Sequence, residues 1–136
     1  MTTYAAIVRK LPVIPKAFTS VKQSVLYVDN LSRFLYLLIV GQKSGIYTPQ
    51  DGESVSAVAI MQYIGEALGL KKKTSALLGL PVYPFSFLPL IRKGYGGIAY
   101  RKEDSHSEEF DYQLVSCKEG IERTVLYEAQ RNHTDL

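Results

Sequence analysis

The sequence predicts a small α/β domain, a strand–helix–strand–helix unit with helical packing at its C-terminal end. Three observations carry this. Val25-Leu26-Tyr27-Val28 is β-branched and aromatic, as a buried strand is, and it runs straight into Leu31, Phe34, Leu35 and Leu38, spaced i, i+3, i+4, i+7 like a core-facing helix. The same grammar returns at Gly45-Ile46-Tyr47-Thr48, followed by a turn and a second helix. A last amphipathic segment begins near Cys117. At 136 residues the chain reads as one domain, residues 1–136, long enough to bury roughly two-thirds of its unfolded surface.

Taken in order, residues 3–10 are a short helix with Tyr4, Ile7 and Val8 inward and Arg9 and Lys10 near its C-terminal end, where cations suit the dipole. Leu11-Pro12-Val13-Ile14-Pro15 is extended and bracketed by prolines, at best an edge strand. Lys16–Gln23 is polar and reads as a loop. Asp29 is placed to cap the helix from about Asn30 to Val40, and the loop Gly41–Gly45 puts glycine at its exit. Ile46–Thr48 is a strand, ended by Pro49-Gln50-Asp51-Gly52.

A helix follows from about Ala57 to Leu68, with Ser56 as its N-cap and Gly69 as its C′ residue; Ala59 leaves no capping box. Its buried face is Ala57, Ile60, Met61, Ile64 and Leu68. Lys71-Lys72-Lys73 reads as a solvated tail. From Thr74 to Ile91 the chain is apolar without a clean period, because Pro81, Pro84 and Pro89 interrupt it; one or two short helices packing on something large are expected. Gly94–Tyr100 is a turn into a short extended piece, Arg101–Glu109 a charged loop, and Tyr112–Val115 a brief strand. The last helix spans about Cys117 to Ala129, with Ile121, Val125 and Leu126 inward.

Composition removes several functional classes. Hydrophobic content of 46% argues against disorder. A net charge of +3 is mild, and along the chain the basic residues read as scattered and interleaved with acids, so no nucleic-acid partner is expected. The single cysteine, Cys117, cannot staple the chain to itself and suits a reducing cytoplasm. The opening Met-Thr-Thr-Tyr lacks the order of a signal peptide, and no apolar run reaches the ~18 residues of a membrane helix. Gly94-Tyr95-Gly96-Gly97 lacks the Lys-Ser/Thr of a phosphate loop. His106 and His133 have no ligand spacing with the one cysteine, so no metal is expected, and no histidine stands near Cys117 in sequence to activate it.

Leu26-Tyr27-Val28-Asp29-Asn30-Leu31, a helix, Gly45-Ile46-Tyr47-Thr48-Pro49-Gln50-Asp51-Gly52-Glu53-Ser54-Val55-Ser56, and a helix ending Glu66-Ala67-Leu68-Gly69 follow one another in a telling order. Together they resemble the C-terminal, substrate-side portion of the extended short-chain dehydrogenases/reductases, the NAD-dependent nucleotide-sugar epimerase/dehydratase family. Tyr95-Gly96-Gly97-Ile98-Ala99-Tyr100-Arg101 and Tyr112–Ile121 are similar to the tail of one branch, so the resemblance covers nearly the whole chain. It implies the C-terminal part of a Rossmann-type fold. In the parent reaction, as in a UDP-glucose epimerase, NAD or NADP would take and return a hydride while this piece closes over a nucleotide sugar.

The chemistry of that family needs a Gly-x-x-Gly-x-x-Gly turn for the cofactor pyrophosphate and a Tyr-x-x-x-Lys pair for proton transfer. These 136 residues contain neither; no tyrosine is followed four places later by lysine. The resemblance therefore implies a chain without the dinucleotide-binding half, holding no cofactor by itself and not catalytic alone. That half and a nucleotide sugar would be its partners, with a homo-oligomer also open. Where relatives place a diphosphate-gripping arginine four residues before the Tyr-Val-Asp tyrosine, this chain has Gln23, with Lys22 beside it as a point charge. Tyr47 and Gln50 stand where strand ends of an open α/β sheet face a ligand cleft. Lys22, Gln23, Tyr47 and Gln50 are the candidate substrate-binding residues. The alternative is a non-catalytic interaction or membrane-peripheral module using the apolar stretch 77–91, which Lys71–Lys73 and Arg92-Lys93 flank. That stretch lacks the clean moment of a membrane-surface helix, so packing against the fold or the missing half is expected ahead of membrane contact.

Overall fold

The computed structural model describes residues 2–52, 54–89, 91, 95–101, 107 and 109–134. They form a small mixed α/β fold in the order α1 (Thr2–Lys10), β1 (Val13–Pro15), β2 (Lys22–Gln23), α2 (Val28–Val40), β3 (Val55–Ser56), α3 (Ala57–Ala67), β4 (Lys73–Ser75), a 3-10 turn (Leu80–Val82) and α4 (Cys117–Thr134). β1 pairs with β4 in parallel, Ile14 opposite Thr74. β2 pairs with β3 antiparallel, Gln23 opposite Val55.

α3 is the spine. Its Ile60, Met61 and Ile64 meet Val8 of α1, Ile14 of β1, and Ile121 and Val125 of α4 in one hydrophobic core. A helix gripped from several sides is apolar around most of its circumference, and α3 buries Ala57, Val58 and Gly65 as well. Its ends were readable. Ser56 accepts from the Ala59 N–H at 3.3 Å. Gly69, at φ +69°, donates to Glu66 O while Leu70 donates to Gly65 O, the two bonds of a Schellman motif.

The expected strands at Val25–Val28, Ile46–Thr48 and Tyr112–Val115 are not strands. Val28 already belongs to α2, and the other residues run without a ladder. Side chains reach the first and third of these segments: Tyr27 N donates to Asp51, and Leu114 N and Val115 N donate to Asn30, while Gln50 N, just past the second, donates to Tyr112. β1 lies in the extended Leu11–Pro15 segment as expected, whereas β2 and β4 form where loop or tail was expected, at Lys22–Gln23 and Lys73–Ser75. The lysine run is accordingly no free tail, since Lys73 enters β4 and Lys72 Nζ donates to Leu11 O at 2.7 Å.

Asp29 does not cap α2. Tyr27 is the N-cap, and Asp29 lies exposed in the first turn, 3.5 Å from Arg123. Of the expected α2 stripe only Phe34 is buried, together with Asn30; Leu35 is 48% exposed. At the helix exit Gly41 is right-handed and Gln42 takes the left-handed place, at φ +47°. α4 starts at Cys117 as expected, with Ser116 accepting from Glu119 N. Leu126 is exposed because it lies five residues past Ile121, about 140° around the helix. After β4 come the 3-10 turn and further turns, then helical residues at Pro89, Ile91 and Tyr95, so short helical pieces do form as expected, but most apolar side chains of the stretch face outward. Arg92, Lys93, Gly94 and His106 lie outside the described residues.

Gln42→Gly should raise unfolding stability by about 0.5–1 kcal/mol, because glycine relieves the left-handed strain. Gly97→Ala should lower it by about 1–3 kcal/mol, since a Cβ there would stand 2.6 Å from Lys22 O. Urea titration followed by circular dichroism reads both.

Candidate functional site

Three segments far apart in sequence converge on the side chain of Asn30, which is fully buried. Its Nδ2 donates to Asp51 Oδ1 at 2.7 Å and to Val115 O at 2.8 Å. Its Oδ1 accepts from Leu114 N at 2.8 Å and Val115 N at 3.0 Å. Both amide hydrogens and both lone pairs are thus used. Asp51, equally buried, accepts from Tyr27 N at 2.9 Å through its other oxygen, and its own N–H donates to Val25 O. The result is a polar clamp at the entrance of α2. Burial pushes the Asp51 carboxyl above its ordinary range, and the bonds from Asn30 and Tyr27 pull it part of the way back.

The four residues selected from sequence fall around this clamp in different environments. Lys22 is exposed and Gln23 half-buried, side by side on β2. Tyr47 packs its ring edge-on to Phe34 and Phe110, both at 5.7 Å. Gln50 is buried; its Oε1 accepts from Ser24 and its Nε2 donates to Tyr100 O at 3.3 Å. Its backbone carbonyl accepts from the Tyr112 hydroxyl at 2.7 Å. The fold thus brings Gln50 next to Ser24, one residue beyond Gln23, and sends Tyr47 into an aromatic cluster. Asn30, Ser24, Tyr100 and Tyr112 were missed from sequence. Only Asn30 carried a signal: an amide four residues before the buried Phe34 faces the same way.

Two clefts of about 330 and 370 Å³ flank the start of α4 and share Cys117; Asp51 and Tyr27 line the first, Gly52, Tyr63 and Lys118 the second. Lys118 is tied to Glu66 at 2.6 Å, a bond that raises its pKa, and lies 5.6 Å from the Tyr63 ring centre. Among the described residues no cluster of His, Cys, Asp and Glu could hold a metal ion. The arrangement can present hydrogen bonds and charge to a ligand; its buried carboxylate is fully engaged and offers no base to a substrate.

A third cleft, about 360 Å³ and almost wholly apolar, lies between α1, β1 and Val82, Ile91 and Tyr95, lined also by Tyr4, Ile7, Leu11 and Met61. The Tyr95 hydroxyl donates to Pro15 O at 3.1 Å; burial raises its pKa, and Tyr4 adds to the shift. Beyond this cleft, Leu77, Leu80 and Phe87 are each more than 60% exposed.

Asn30→Ala should cost about 3 kcal/mol or more, because it orphans two backbone N–H groups, a carbonyl and a carboxylate oxygen in the interior. Asp51→Asn should cost about 1–3 kcal/mol, since one end of the new amide must face a donor. The raised Asp51 pKa means that its ionisation favours the unfolded chain. Its stabilising contribution is complete below the ordinary carboxylate range and is lost as pH rises through the raised folded value. Wild type should therefore gain on Asp51→Asn as pH falls through that window, as read by urea unfolding at a series of pH values.

Comparison with models of protein families, with curated proteins and with solved structures found no match to this chain.

Proposed function

We propose that this chain is the substrate-side part of an NAD(P)-dependent nucleotide-sugar epimerase or dehydratase. It would close over the sugar while a dinucleotide-binding half, whose motifs these residues lack, carries the cofactor and the catalytic tyrosine and lysine. The ordered motifs from Tyr27 to Gly69 support the reading, and the outer face of α2 carries it. Val28, Leu35, Tyr36, Ile39 and Val40 are 48 to 77% exposed on a helix whose inner face already holds Asn30 and Phe34. An apolar outer face of this size, interrupted only by Asp29, Ser32 and Arg33, is suited to be covered by a further protein surface.

In this reading Lys22 and Gln23 face the nucleotide diphosphate from β2, while Gln50 holds the neighbouring loop through Ser24 and Tyr100. The coding sequence upstream of Met1 is the direct test. An adjoining frame with Gly-x-x-Gly-x-x-Gly and Tyr-x-x-x-Lys is expected; unrelated sequence there overturns the reading. With that half in hand, Ile39→Glu should leave the stability of this chain within about 0.5 kcal/mol. The same substitution should abolish association with the dinucleotide-binding half, measured by calorimetry.

A further inference from the structure

The fold sorts charge in a way that reading along the chain conceals. Residues 1–28 and 67–102 contain eleven of the sixteen Lys and Arg and not one Asp or Glu; all thirteen carboxylates lie in the remaining segments. The two basic segments are joined in space. β1 pairs with β4, Lys16 N donates to Ser75 O, Ser24 N donates to Ile98 O, and the Tyr95 hydroxyl reaches Pro15 O. The segments so joined carry no carboxylate of their own, and Lys16, Lys71 and Lys73 are exposed on them.

The exposed apolar stretch lies in the second of these segments. Leu77, Leu78, Leu80, Phe85, Phe87 and Leu88 are 39 to 75% exposed. Lys71 and Lys73 stand exposed immediately before them, and exposed Lys16 lies at their base, where its carbonyl leaves no room for a Cβ on Gly79. The stretch is anchored from behind. The rings of Phe18 and Tyr83 stack at 4.5 Å, and Phe18 N donates to the Tyr83 hydroxyl. Its outward side chains are thus presented on a fixed platform.

We propose that residues 77–88, with the basic segments that carry them, dock on an anionic phospholipid bilayer. Leucine and phenylalanine side chains enter the boundary between headgroups and acyl chains, while the surrounding lysines meet lipid phosphates. The chemistry selects this partner over two others. Nucleic acid would meet the charge but not the outward aliphatic centre, and a second copy would set the exposed Lys16, Lys71 and Lys73 of two chains face to face. The proposal is independent of the enzymatic reading.

The test is co-sedimentation of the full chain with phosphatidylcholine vesicles with and without phosphatidylglycerol. Binding to the anionic vesicles is expected, weakening as salt is raised. Phe87→Asp, and separately Leu77→Asp, should lower it about tenfold. The double variant Lys71→Glu/Lys73→Glu should lower it at least as far, all with unchanged circular dichroism. No binding to anionic vesicles overturns the proposal, as does binding indifferent to Phe87→Asp. So does preferred binding of a single-stranded oligonucleotide that displaces the vesicles. A concentration-dependent dimer abolished by Phe87→Asp, without vesicle binding, overturns it in favour of self-association.

Discussion

The amide of Asn30 is the interaction on which this structure depends. A buried primary amide is costly unless every donor and acceptor is used, and here four bonds use them all, linking residues 30, 51, 114 and 115. Asp51 extends the clamp to Tyr27, and Tyr112 extends it to Gln50. Segments that would otherwise need sheet partners are thereby held extended by side chains. Such a network admits one arrangement, because any shift of register leaves several polar groups unsatisfied together.

α3 supplies the complementary apolar half of the design. Its side chains contact α1, β1 and α4, so the hydrophobic gain is concentrated in one helix and the polar clamp fixes what surrounds it. The surface ion pairs add little to either. Lys118 with Glu66 and Arg123 with Glu119 are about half exposed on both sides, where water screens the attraction and side-chain ordering offsets most of it. They tie α4 to α3 and fix the first turns of α4 rather than hold the fold.

What could be read from residues alone follows from how local each signal is. Ser56 before a periodic run and Gly69 after it mark α3 because a cap is a contact within four residues. The same locality made α1 and the start of α4 legible. The strands failed for the opposite reason. Val25–Val28 and Ile46–Thr48 have strand composition, but whether a ladder forms depends on a partner elsewhere; Asp51 meets the first at Tyr27, and Tyr112 meets the chain just past the second, at Gln50. Two-residue strands such as Lys22–Gln23 have no pattern to detect. The candidate site was legible in part: Gln50 and Tyr47 do lie near the clamp, but the choice of Asp29 over Asn30 and Asp51 as the structural polar residue was wrong. A carboxylate before a helix is a familiar cap, whereas a carboxylate reaching the same N-terminus from residue 51 has no sequence spacing to announce it.

Two apolar surfaces stand uncovered, the outer side of α2 and residues 77–88, and a different partner is proposed for each. The inner side of α2 meets Phe110 and Tyr112 through Phe34, in a segment that also carries Glu109 and Asp111. The 77–88 surface grows from segments without a carboxylate. An anionic surface attracts the second and repels the first, over distances of about 8–10 Å at physiological salt. A molecule held at a bilayer by 77–88 would keep its carboxylate-rich segments off the lipid. The exposed residues of α2 and those of 77–88 are different side chains, so the two proposed contacts do not draw on the same atoms.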